Sequence, residues 1–122
     1  MDEAWFSGLA DELGQAIVDA GECAGACERL LETAHGRLDR EREYALFAAI
    51  VAPTSISRIL VDLIDRPPGI VLAAAHVCRE TSLQAVVEVE RLALPLETGA
   101  AIGALVAVAE SCRCLLESAD LL

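Results

Sequence analysis

The chain has 122 residues, 55% of them hydrophobic but only 3% aromatic, with nine basic residues against 20 acidic ones. That length fits one domain, residues 1–122, with a modest core built from Ala, Val, Leu and Ile. A net charge of −11 repels a phosphate backbone and an anionic membrane surface, so neither nucleic acid nor membrane is an expected partner. No uninterrupted apolar run of 18 residues is present, and Met1-Asp2-Glu3 lacks the positive start of a secretory signal. A cytoplasmic protein is expected. Five cysteines, an odd number, fit reduced thiols in that compartment better than a paired disulfide framework.

The first helix is expected over about residues 2–34. Phe6, Leu9, Leu13, Ala16, Ala20, Cys23, Cys27, Leu30 and Ala34 recur at spacings of three and four, which is a heptad seam. Cys23 and Cys27 both sit on it, one turn apart and facing other helices. Gly14, Gly21 and Gly25 weaken the helix locally, and close contact with a neighbour is the expected compensation. Ala34-His35-Gly36 ends it, with Gly36 in a left-handed conformation. A second segment, Leu38 to Asp65, opens on charges and turns apolar. Pro53 predicts a kink, or a split with Thr54 or Ser55 restarting the helix, and Ile56, Ile59, Leu60 and Leu63 supply its inward face.

Asp65-Arg66-Pro67-Pro68-Gly69 is a turn that places Pro68 in the first turn of a third helix, running to about Leu92. Its seam is Val71, Ala74, Cys78, Thr81, Ala85, Glu88 or Val89, and Leu92. Leu94 to Gly99 breaks the pattern and offers Thr98 as a cap for a fourth helix. There Ala101, Leu105, Val108, Cys112, Leu115, Ala119 and Leu122 form the seam, and Cys114 lies off it. Four apolar helices with short connections predict an all-α, antiparallel four-helix bundle.

Counting about 1.5 Å of rise per residue from the turns brings Cys23, Cys78 and Cys112 to similar heights on three helices, with Cys27 about a turn further along. Converging thiolates suit a soft ion such as Cu(I), or Zn(II) if a fourth ligand completes a tetrahedron. The competing reading is that each cysteine is a small buried hydrophobe in an Ala-rich seam.

Gly21-Glu22-Cys23-Ala24-Gly25-Ala26-Cys27-Glu28 resembles the Cys-Ala-x-x-Cys repeats of the cysteine-rich four-helix-bundle copper storage proteins. His76-Val77-Cys78-Arg79-Glu80 and Glu110-Ser111-Cys112-Arg113-Cys114 are similar to the Cys-Arg-x-Cys segments of that family's later helices. The resemblance implies a bundle interior lined by Cu(I)-binding thiols, with Cys23, Cys27, Cys78 and Cys112 at lining positions. Ser57, Thr81, Ser82 and Ala85 stand where further thiols would be expected, and the second helix has none, so the expectation is a low-capacity Cu(I) binder. The alternative is a metal-free helical interaction or scaffold module, a homo-oligomer whose cysteines only pack the core. Trp5 and Phe6 are candidate packing or oligomer contacts.

Other constellations carry less. Glu32-Thr33-Ala34-His35 is a single Glu-x-x-His at a helix end, where a di-iron bundle needs two copies, so His35 is expected to interact with the helix C-terminus. His76 points away from its seam. Seam thiols in an acidic protein lack the access and positive surroundings of a catalytic cysteine, and no phosphate-cradling loop is present, so the pattern assigns no catalytic residue.

Overall fold

A computed structural model describes residues 9–63, 66–92 and 96–120, which form four helices and, among the described residues, no strand. They are α1 (Ala10–Ala34), α2 (Arg40–Asp62), α3 (Pro68–Leu92) and α4 (Gly99–Ser118). Short connections force successive helices to run antiparallel. The main contacts join α1 to α2, α2 to α3, α3 to α4 and α4 back to α1, so the four stand at the corners of a square. This is the all-α four-helix bundle that the periodicity predicts.

Each seam turns inward. Leu9, Leu13, Ala16, Ala20, Cys23, Cys27, Leu30 and Ala34 are all buried, as are Val71, Ala74, Cys78, Ala85, Val89 and Leu92 of α3. On α4, Ala101, Leu105, Val108, Cys112, Leu115 and Ala119 are buried too. Phe6, Trp5 and Leu122 fall outside the described residues. Of the two candidates at the α3 seam, Val89 takes the inward place and Glu88 is half-buried.

α2 removes one of two alternatives at Pro53 and overturns one inward assignment. It continues through Pro53 without splitting, and Pro53 is itself buried on the core side together with Leu46, Ile50, Ser57 and Leu60. Packing of that face against α1 and α3 offsets the backbone hydrogen bond a proline cannot donate. Ile59 belongs to the outer surface, 48% exposed, because the line through Leu46, Ile50, Pro53, Ser57 and Leu60 uses up the inward arc. Ile56 and Leu63 sit half-buried at its edge.

The helix ends show which residues hold the corners. Asp39 caps α2, its carboxylate accepting from the Arg42 backbone N–H at 2.9 Å. Arg42 then reaches across the bundle and donates through Nε and Nη2 to the carbonyl of Leu92, at 3.2 and 2.9 Å, satisfying an orphan carbonyl at the end of α3. Gly36 has φ +75°, the left-handed geometry expected after α1. Thr98 precedes α4 but makes no side-chain capping bond. His35 is the C-cap of α1, its backbone N–H donating to the Leu31 carbonyl at 3.1 Å, while its side-chain Nδ1 lies 2.9 Å from Glu43 Oε1 at the start of α2.

By length and composition alone, α2, α3 and α4 are long and apolar enough to cross a bilayer. Each also carries surface ion pairs: Arg58 with Glu28, Arg79 with Glu80, and Arg113 with both Glu110 and Glu117.

The α1 glycines correct another expectation. A Cβ at Gly14 or Gly21 would meet nothing within 4 Å, and only at Gly25 would it approach a neighbour, the flexible Arg29 side chain at 3.2 Å. Among the described residues nothing packs against Gly14 or Gly21, so these positions carry the backbone entropy of glycine without a packing return. Gly14→Ala and Gly21→Ala should each raise stability by about 0.5–1 kcal/mol, read as a higher urea midpoint at unchanged slope.

Candidate functional site: a buried thiol layer

Seam geometry dictates what lies at the middle of the bundle. Cys23 and Cys27 are one turn apart on α1, Cys78 comes from α3 and Cys112 from α4, and all four are 0% exposed. All five cysteines, including half-buried Cys114, are free thiols. α2 contributes no sulfur to the layer but supplies hydroxyls. Ser57 Oγ lies 3.6 Å from Cys78 Sγ, and it also faces Cys23 closely enough to favour that thiolate. Ser57 and Ser82 are both 0% exposed. The hydroxyls of Thr54 and Ser82 are shielded from solvent and have no hydrogen-bond partner of normal length. Each nevertheless stands beside a sulfur, Thr54 beside Cys27 and Ser82 beside Cys78.

The four thiols interact most strongly as two pairs. A thiol hydrogen bond from Cys23 is the largest influence on Cys27 and lowers its pKa; the Cys23 thiol is pushed up by the same bond, then by burial. Cys112 does the same for Cys78, which falls from 9.0 to about 7, with Ser57 and Ser82 assisting against the opposing effect of burial. Cys112 is driven up, first by its bond to Cys78 and then by desolvation. A shared proton explains both directions: the first thiolate in each pair is solvated by the remaining S–H, and removing that second proton would place two negative sulfurs together in a dry core. The pairs also sense each other, because charge on Cys78 raises Cys23 and charge on Cys23 raises Cys112. Cys23, Cys78 and Cys112 therefore share a neighbourhood across three helices, as the height count expects, while Cys27 couples to Cys23.

The layer is not a ready-made cage. Among the described residues, no group of three or more His, Cys, Asp or Glu side chains converges tightly enough to hold one ion. Two carboxylates act on the layer by their charge, Glu28 raising Cys27 and Asp19 raising Cys112, and Asp19 Oδ2 is engaged by Ser111 Oγ and by Gln15 Nε2 at 3.1 Å. Cys114 stands apart, lining a surface groove of about 260 Å³ with Asp11, Glu12, Gln15, Glu110 and Ser111. His76 is exposed, away from the layer, in agreement with its position off the seam. Thr81 is half-buried and turns its hydroxyl back onto the carbonyls of Val77 and Cys78, at 2.9 and 3.3 Å. Its neighbour Ser82 takes the inward place instead. Thr54 is the residue that the sequence pattern least advertises; its spacing of three from Ser57 on the Pro53 face is the only available signal.

Fold and layer define a class: an antiparallel four-helix bundle with a polar sulfur and hydroxyl stratum inside an otherwise apolar core. No protein-family model, curated protein or solved structure matches the chain.

The pairing predicts a titration. Folded protein should develop thiolate ultraviolet absorbance as pH rises through about 7, and Cys78→Ser should remove that step. The folded pKa lies below the unfolded one, so this ionisation adds stability above pH 9 that fades as pH falls from 9 to about 7. Thermal melts of wild type and Cys78→Ser should accordingly diverge with rising pH across that window.

Proposed function

We propose that this protein is a low-capacity Cu(I)-binding four-helix bundle whose ligands are the thiolates of Cys23, Cys27, Cys78 and Cys112. The observation that carries the reading is the pair of unsatisfied buried hydroxyls, Thr54 beside Cys27 and Ser82 beside Cys78, each next to a thiol whose pKa its partner cysteine already lowers. A purely inert core has no use for them, since a buried hydroxyl without a partner costs about 1–3 kcal/mol. Beside a thiolate the same hydroxyl is a donor to negative charge. All-sulfur donors favour a soft ion, and two-sulfur sites suit Cu(I) better than Zn(II), which requires a tetrahedron. Cys23 with Cys27 would hold one ion and Cys78 with Cys112 another. Binding displaces the proton that each pair shares. A reducing, cytosolic setting belongs to this reading because free thiols persist there.

A second reading, a metal-free interaction or scaffold module whose cysteines only pack, is favoured by the lack of a three-ligand cluster among the described residues and by the large side chains left outside the bundle. Anaerobic Cu(I) titration against a competing chelator separates the two. One or two tightly held ions per chain are expected, with Cys78→Ala/Cys112→Ala reducing the count and Cys23→Ala/Cys78→Ala abolishing tight binding. A stoichiometry of zero in a fully reduced, folded sample refutes the copper reading in favour of the second.

A further inference from the structure

The outer face of α2 is unlike an ordinary solvated helix face. Arg40, Tyr44, Phe47, Val51, Ser55, Arg58 and Asp62 are all exposed, with Tyr44 at 69% and Phe47 at 52%. At 100° per residue they fall within about 40° of the direction of Val51, forming one stripe about 33 Å long. The order along the stripe is symmetric about Val51. Arg40 and Asp62 each lie eleven residues from it, Tyr44 and Arg58 seven, Phe47 and Ser55 four. Arg40 and Asp62 have no ionic partner among the described residues, and Arg58 is held only by its surface pair with Glu28.

A helix with such a pattern complements an antiparallel copy of itself. We infer that the outward stripe of α2 is a two-fold interface on which a second copy of this chain docks, antiparallel, with the axis at Val51. The pairing sets Val51 against Val51 once, on the axis, and Phe47 over Ser55, the Tyr44 ring against the Arg58 guanidinium, and Arg40 against Asp62, each of these three contacts occurring twice. A parallel pairing would instead set Arg40 on Arg40 and Asp62 on Asp62. A cleft of about 530 Å³ lined by Leu31, His35, Arg40, Glu43, Tyr44 and Phe47 borders the stripe at the level this register assigns to Arg58 and Asp62 of the second copy. The interface uses no thiol and stands whether or not the bundle binds copper.

Sedimentation velocity of the full chain under reducing conditions, over a concentration series, tests the pairing. A reversible dimer is expected. Val51→Glu, which sets two carboxylates together on the axis, should leave only monomer. Arg40→Asp and Asp62→Arg should each weaken the dimer about tenfold, and their combination should restore it to within about threefold of wild type, because only in an antiparallel register do these positions meet. Helical circular dichroism identical to wild type keeps each variant interpretable, since every change is on the surface. A monomer at all concentrations, a dimer indifferent to Val51→Glu, or failure of the double reversal to recover overturns the proposal. So does flotation of the wild-type chain with neutral phosphatidylcholine vesicles that Val51→Glu abolishes, which would make the stripe a lipid-facing surface.

Discussion

Everything in this bundle depends on how closely its helices approach. A core with almost no aromatic volume can be filled without voids only if the backbones come near one another, and α1 makes this possible with Ala16, Ala20, Ala24, Ala26 and Ala34 at or beside its seam. The bulk comes from opposite corners, from Leu46, Ile50 and Leu60 of α2 and from Leu105, Leu115 and Leu116 of α4. Interiors of this density transmit small changes in side-chain volume. Cysteine, close to alanine in size but polarisable, is the residue that can thicken the seam at Cys23 and Cys27 without forcing α1 outward. The thiols therefore come together as a consequence of close packing, and their chemistry follows from the proximity that packing imposes.

That proximity makes the layer electrostatically particular. A lone thiol in an apolar core has its pKa raised by burial and stays inert. Here each thiol that gains a thiol partner becomes half of a proton-sharing pair, and the hydroxyls of Thr54, Ser57 and Ser82 tilt one member toward the anion. Asp19 reinforces this on the α4 side by raising Cys112, so the negative charge is encouraged toward Cys78 and away from the carboxylate. The acidic surface acts in the same sense as Asp19, but at a distance where solvent screening blunts it.

Much of this was legible in the order of the residues, and the exceptions have physical causes. The seams of α1, α3 and α4 could be read almost to the residue because an alternating three-and-four spacing admits one inward direction per helix. The α2 face could not, because Pro53 invites a break on local grounds and only the neighbouring helices reveal that its ring fits the core. Once Pro53 is inside, Ile59 is rotated out. On α3 the spacing put Thr81 on the seam, but Ser82 takes the buried place and Thr81 bonds its own helix carbonyls instead, which periodicity does not register. The thiol layer was visible as a height coincidence. Its partition into pairs was not, since that depends on helix rotation of a few tens of degrees.

The distribution of polarity through the molecule is partly inverted, with sulfur and hydroxyl groups inside and Tyr44, Phe47, Val51, Ile70, Val77 and Val87 outside. Exposed apolar side chains on several helices would ordinarily drive indiscriminate association, and the net charge of −11 opposes it. Repulsion between like-charged copies is weakest where a face carries local cations. The α2 stripe, with Arg40 and Arg58 against a single Asp62, is such a face, whereas the α4 surface around Glu110 and Glu117 needs Arg113 merely to balance its own carboxylates. Overall charge therefore acts as a filter on hydrophobic contact. It leaves two copies free to meet along α2 while the net negative charge of the chain opposes contact through the remaining apolar side chains.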